Sequence, residues 1–113
     1  MKRIYIAGAY SADNVLEVLG NIRRGISAAV WALLHGYAPF CPWLDFLFFL
    51  QNDGKIISVE EIKAYSMAWL EASDEVWVLP DSSASIGTQA EIKRAKELNI
   101  PIKDFITIKN GNI

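Results

Sequence analysis

A chain of 113 residues forms one domain with room for a real core and none for a second. Its 52% hydrophobic and 21% charged residues are the balance of a globular protein, and a net charge of −2 leaves no basic excess to hold a nucleic acid polymer. The single cysteine, Cys41, excludes an internal disulfide and a cysteine-rich metal site, and the lone His35 argues against a zinc or histidine-triad centre.

The opening MKRIYIAGAYSA has two basic residues and only a brief apolar run, which reads as a strand and not as a signal peptide. RIYIAG suits a buried parallel strand that ends in a tight turn. From Asp13 to His35, Leu16, Leu19, Ile22, Ile26, Val30 and Leu33 recur at helical spacing. Gly20 and Gly25 each weaken that helix by roughly 1 kcal/mol relative to alanine and would permit close packing. His35-Gly36 closes it, with glycine as the left-handed cap. YAPFCP predicts a second strand, WLDFLFFL fits a helix or an irregular wall, and QNDGK reads as a turn. The densest apolar run, FCPWLDFLFFL, is broken by Pro42 and Asp45 and falls short of the about 20 residues that span a bilayer. A soluble, cytoplasmic protein with no membrane partner is expected. A second helix starts at Ser58, with Glu61 completing a capping box, and runs to Ala72. EVWVLP predicts the third strand, TQAEIKRAKELN the third helix, and IPI with FITI one or two closing strands.

Strands alternating with helices predict a three-layer α/β domain over residues 1–113, with a mainly parallel sheet of four to five strands and helices on both faces. Ligands of such sheets bind beyond the carboxyl ends of the strands. Those ends are GAYS, CPWLD and PDSSASIG, so the functional residues are expected there. Gly8 alone makes neither a dinucleotide fingerprint nor a phosphate-binding P-loop, and no cofactor or metal is expected.

SIGTQAEI leaves Glu91 with two readings. On a helical wheel it lies within roughly 60° of Thr88, Ala95 and Leu98, on the sheet-facing arc, with Lys93, Lys96 and Glu97 on the far side. In the first turn, the helix dipole would favour its ionised form. Equally, Thr88 and Glu91 match the S/T-x-x-E capping box, in which the glutamate only ties off the helix end.

RIYIAGAYS, the stretch NI…A…L…GY.PF.P, and WLEASDEVWVLPDSSASIGTQAEIKRAKELNIPI together resemble the nucleoside 2-deoxyribosyltransferase-like superfamily over nearly all of the chain. That superfamily includes 2-deoxyribosyltransferases and 2′-deoxynucleoside 5′-monophosphate N-hydrolases. The resemblance implies a flavodoxin-like or Rossmann-like sheet, a homodimer or larger assembly, and a nucleoside or nucleotide as the small-molecule substrate. It also implies that Glu91, in the G-x-x-x-E turn that begins at Gly87, is a nucleophile oriented by Tyr5. The carboxylate would attack the anomeric carbon and displace the base, and water or a second base would then open the glycosyl-enzyme. Ser85 stands where the N-hydrolases carry a phosphate-contacting serine; Ser82, Ser83 and Ser11 are further candidates for that contact.

Two positions depart from the resemblance. Ser66 stands where characterised members place an aspartate, and Tyr10-Ser11 where the N-hydrolases carry an arginine. Asp45 or Asp81 could substitute as acid or sugar ligand; either could equally be a solvated loop carboxylate, Asp81 above all, and a structural role at a helix–strand junction is expected for Asp74. Trp43, Phe46, Phe48 and Phe49 are expected at an interface, with core packing and a stacking wall for the base as the alternatives. Asn110 and Asn112 are the candidates to reach a neighbouring subunit's site. The leading expectation is N-glycosidic cleavage of a deoxynucleoside 5′-monophosphate. Base exchange between nucleosides is the second reading, and a non-catalytic nucleotide-binding protein, favoured by Ser66, the third.

Overall fold

The computed structural model describes residues 1–51 and 56–111. The elements run β1 (Arg3–Ala7), α1 (Val15–Leu34), β2 (Ala38–Phe40), a 3-10 helix η1 (Pro42–Leu50), α2 (Val59–Glu71), β3 (Glu75–Val78), α3 (Ile86–Glu97), β4 (Ile102–Asp104) and α4 (Phe105–Gly111). The strands form one parallel sheet in the order β2-β1-β3-β4. Tyr5 sits beside Phe40 on one side and Val76 on the other. The chain leaves β1 first to one side and then to the other, so the order reverses between β1 and β3. Clefts open at such a reversal in doubly wound sheets.

The two-residue period of β1 divides the core. Ile4 and Ile6 face α1 and α4 and pack with Ile22, Ala28, Ala32, Trp43, Trp77, Leu79 and Phe105. Tyr5 and Ala7 face α2 and α3 and pack with Leu70, Val76 and Ala95. These are the three layers expected. Asp74 has the junction role expected of it: its carboxylate accepts from the Arg3 backbone N–H at 2.8 Å and pairs with the Arg3 side chain.

Two details differ from the sequence reading, and one that it left open is resolved. FITI is not a strand but the start of α4, because the Asp104 carboxylate accepts from both the N–H and the hydroxyl of Thr107 and starts a helical turn. WLDFLFFL resolves into η1. On α1, the face against the sheet is Asn21, Ile22, Gly25, Ala28 and Ala32, whereas Leu16, Leu19, Val30 and Leu33 lie largely exposed. The small residues turn inward because Trp43 fills the space over them. A Cβ on Gly25 would lie 2.1 Å from Trp43 Cε3, and one on Gly8 3.1 Å from Trp43 Cζ2. Gly36, with φ +89°, ends α1 in the left-handed conformation expected of it. The capping box of Ser58 and Glu61 is present in both directions. The turn expected at 51–55 falls on residues 52–55, outside the described residues. Among the described residues, no helix is long and apolar enough to cross a membrane.

Gly20 and Gly25 are therefore unlike. At Gly20 the nearest atom to an added Cβ is the end of the flexible Arg24 side chain at 3.7 Å. Gly20→Ala should stabilise the fold by up to about 1 kcal/mol, and Gly25→Ala should destabilise it by roughly 1–3 kcal/mol through overpacking. Urea unfolding midpoints of the two variants will move in opposite directions.

Candidate active site

A cleft of about 750 Å³ lies over the carboxyl ends of β1 and β3. All three of the loops expected to carry function border it: Gly8, Tyr10 and Ser11 after β1, Pro42, Trp43 and Asp45 after β2, and Ala84 to Gly87 after β3. Tyr5, Ser66 and Glu91 line it as well. Alternation along β1 turns Tyr5 toward α2 and α3, and its ring is wholly buried. The Tyr5 hydroxyl donates to Glu91 Oε2. Burial pushes the phenol far above its ordinary pKa, the Glu91 charge adds to this, and the Ser66 hydroxyl on the same phenol pulls the other way.

Glu91 does not cap its helix. The cap of α3 is Ser85, whose hydroxyl accepts from the Thr88 N–H at 3.2 Å and from the Thr88 hydroxyl at 2.9 Å. With the helix starting at Ile86, Thr88 is an interior residue and Glu91 stands in the second turn, beyond the strongest reach of the helix dipole. Its carboxyl is consequently governed by burial, which pushes it up to about 7, against the Tyr5 hydrogen bond, which pulls it down. Near neutrality it therefore exists in both forms. That is a different state from the firmly ionised anion that a first-turn position suggests.

Asp45 is not a solvated carboxylate. It is only 8% exposed, accepts from the Tyr10 hydroxyl at 3.0 Å through Oδ1, and is pushed above the usual carboxylate range by burial. Asp81 is exposed, adopts φ 60°, and is not part of the cleft wall. Ser82 is buried with its hydroxyl on the Pro80 carbonyl, and Ser83 is exposed; neither lines the cleft. Ser11 does. The aromatic group divides. Trp43, at 1% exposure, is core, with its indole N–H on the Ala9 carbonyl, which corrects its expected place at an interface. Phe46 packs partly against that core. Phe49 borders the cleft, and Phe48 borders a separate apolar groove between α1 and η1. Asn110 lies exposed near the end of α4, away from the cleft wall, and Asn112 lies outside the described residues.

Of one further wall, sequence reasoning named only Ser66. Val59, Ile62, Lys63, Ser66 and Met67 of α2 all border the cleft, and Lys63 is the cation among them. Their spacing of three and four residues is that of one helix face, a signal present in the sequence.

The profile of one protein family matches residues 2–105. The chain belongs to the DUF7768 family, a domain of unknown function. No curated protein matches it. Among solved structures, this DUF7768 domain resembles a 2-deoxyribosyltransferase from the psychrotolerant bacterium Bacillus psychrosaccharolyticus, with a TM-score of 0.62 at 17% sequence identity. The alignment covers 90% of this chain and 70% of that one. At such identity the likeness establishes the α/β fold.

The burial of Glu91 can be read in the stability of the DUF7768 domain. The folded state holds the Glu91 proton more tightly than the unfolded state does. The Glu91 contribution to stability is therefore largest below the ordinary glutamate pKa and is lost as pH rises through about 7. Glu91→Gln keeps a partner for Tyr5 and cannot ionise. It should be more stable than the wild type at pH 8, by on the order of 2 kcal/mol, with the gain vanishing near pH 4; denaturant titrations at the two pH values measure it. A glutamate that served as a cap would give the opposite sign, since its replacement would weaken the helix end.

Proposed function

We propose that this protein cleaves the N-glycosidic bond of a deoxynucleoside 5′-monophosphate through a covalent intermediate on Glu91, as a relative of the nucleoside 2-deoxyribosyltransferase-like proteins. The observation that carries the reading is the Tyr5–Glu91 pair, a carboxyl tied to a buried phenol at the floor of the cleft. Tyr5 holds Oε2 and fixes the carboxylate plane, which leaves Oε1 to attack the anomeric carbon. The bond from that carbon to the base breaks, and water then opens the glycosyl ester with overall retention. Gly8 gives the sugar close access to the end of β1. Ser11, the Ser85 hydroxyl and the free N–H groups of Ile86 and Gly87 at the start of α3 form a seat for the 5′-phosphate, with Lys63 supplying the countercharge. Tyr10 and Phe49 border the space left for the base.

The test is base release from deoxynucleosides and their 5′-monophosphates by purified protein. Release from a monophosphate should fall by roughly 10³-fold or more in Glu91→Gln, as removal of a nucleophile does, without loss of folding. Wild-type kcat/KM should decline as pH falls below about 7, because protonation removes the attacking carboxylate. In Tyr5→Phe that limb should move to higher pH, since the lost hydrogen bond had favoured the charged form. Lys63→Ala should raise KM for monophosphates and leave nucleosides unaffected. Absence of release from every substrate overturns the reading and favours a nucleotide-binding protein. Exchange with an added free base, under ping-pong kinetics, would make it a transferase.

We also propose that a second copy of the chain covers the exposed apolar side chains of α1 (Leu16, Leu19, Val30, Leu33) and η1 (Leu44, Leu47, Leu50). Light scattering at micromolar concentration should give twice the mass of one chain, and Leu33→Glu should halve it.

A further inference from the structure

The cleft holds a second carboxyl–phenol pair, which the attack by Glu91 does not use. Asp45, from η1, is bound through Oδ1 by the Tyr10 hydroxyl, and both residues line the cleft. The pair is held from behind. The Tyr10 carbonyl accepts from Asn21 Nδ2 at 3.0 Å, Asn21 is itself buried in α1, and its own carbonyl takes the Arg24 guanidinium. Asp45 and Glu91 approach the Tyr5 phenol from different elements, and the charge of each acts on it. Cleavage of a glycosidic bond needs two carboxyl groups in one site, one to attack and one to handle the leaving group's proton. Ser66, at the remaining polar position beside Tyr5, cannot serve as an acid near neutral pH.

We infer that Asp45 is the general acid of this site, donating its proton from Oδ2 to a ring nitrogen of the departing base while Tyr10 holds Oδ1. The inference rests on the cleavage reading above. In the first step the bond from Glu91 Oε1 to the anomeric carbon forms, and the bond from that carbon to the base nitrogen breaks. The bonding pair goes to the base, which takes the proton of Asp45 and leaves neutral. In the second step water attacks the same carbon, the ester to Glu91 breaks, and the Asp45 carboxylate takes the water proton. Both carboxyl groups return to their starting forms. Burial moves Asp45 above the usual carboxylate range, the direction that a proton donor requires. The groups that bear on it are the Tyr10 hydroxyl, the Cys41 thiol and the Tyr5 phenol, all neutral near pH 7.

The experiment compares first-turnover base release from 2′-deoxyguanosine 5′-monophosphate with release from its 7-methyl derivative. The methylated base carries a fixed positive charge and departs without a proton. Asp45→Asn should slow release from the ordinary substrate by roughly 10²- to 10⁴-fold, the usual worth of general acid catalysis, and change release from the methylated one by less than about threefold. Glu91→Gln should abolish both. Tyr10→Phe, which keeps the ring and loses only the tether, should show the same selectivity at smaller amplitude, and it decides the matter if Asp45→Asn does not fold. Equal losses on the two substrates, or none, overturn the acid role while leaving the cleavage reading intact. Wild-type release confined to the methylated substrate also overturns it, because the chain would then bring no acid. If the wild type releases neither base, the cleavage reading and the acid role fall together.

Discussion

The seating of Trp43 on Gly25 is the contact on which the cleft depends. One indole meets the glycine of α1 and the glycine that follows β1, and its N–H closes on the Ala9 carbonyl. Three segments far apart in sequence are thereby held at one point beneath the site. The loops after β1 and β2, which carry Tyr10 and Asp45, cannot move independently while that ring is in place. The same contact explains the inverted dress of α1. A helix that must lie close to an indole presents glycine and alanine to it, and its leucines have to go elsewhere.

The two carboxyl groups that line the cleft are held differently from the structural carboxylates of the chain. Each is paired with a tyrosine and not with a cation, so neither gains the offset of an ion pair. Glu75 shows what the chain does with a structural carboxylate: it gathers Lys2, Lys103 and the Trp77 indole around it and is lowered to about 2. Glu91 and Asp45 are raised instead. Carboxyl groups so raised within one cleft mark it as the candidate site.

Much of the architecture was legible because its signals are local. Glycine and proline bound the strands, Ser58 and Glu61 announce α2, and β-rich runs alternating with amphipathic ones give the layers. The site loops followed from the rule about strand ends. The failures have physical causes. Two overlapping cap patterns, Ser85 to Thr88 and Thr88 to Glu91, compete for the start of α3, and only packing decides that Thr88 is interior. The β-branched FITI looks like a strand until Asp104 is seen to bind Thr107. The apolar stripe of α1 points outward because the inner face was chosen by Trp43, a residue from another element. The cleft face of α2 was visible in its spacing, yet nothing local distinguishes a face that lines a cavity from one that fills a core.

The hydroxyl of Ser85 has a consequence for what can rest at the start of α3. Both of its lone pairs are occupied by Thr88, one by the backbone N–H and one by the side-chain hydroxyl. Only its proton remains to offer. The mouth of the helix is thus one-sided in its chemistry: serine and backbone alike can give hydrogen bonds there and take none. A phosphate oxygen suits such a place, whereas an ammonium group, which can only donate, finds no acceptor there. Thr88 thereby sets the hydrogen-bond polarity of the start of α3.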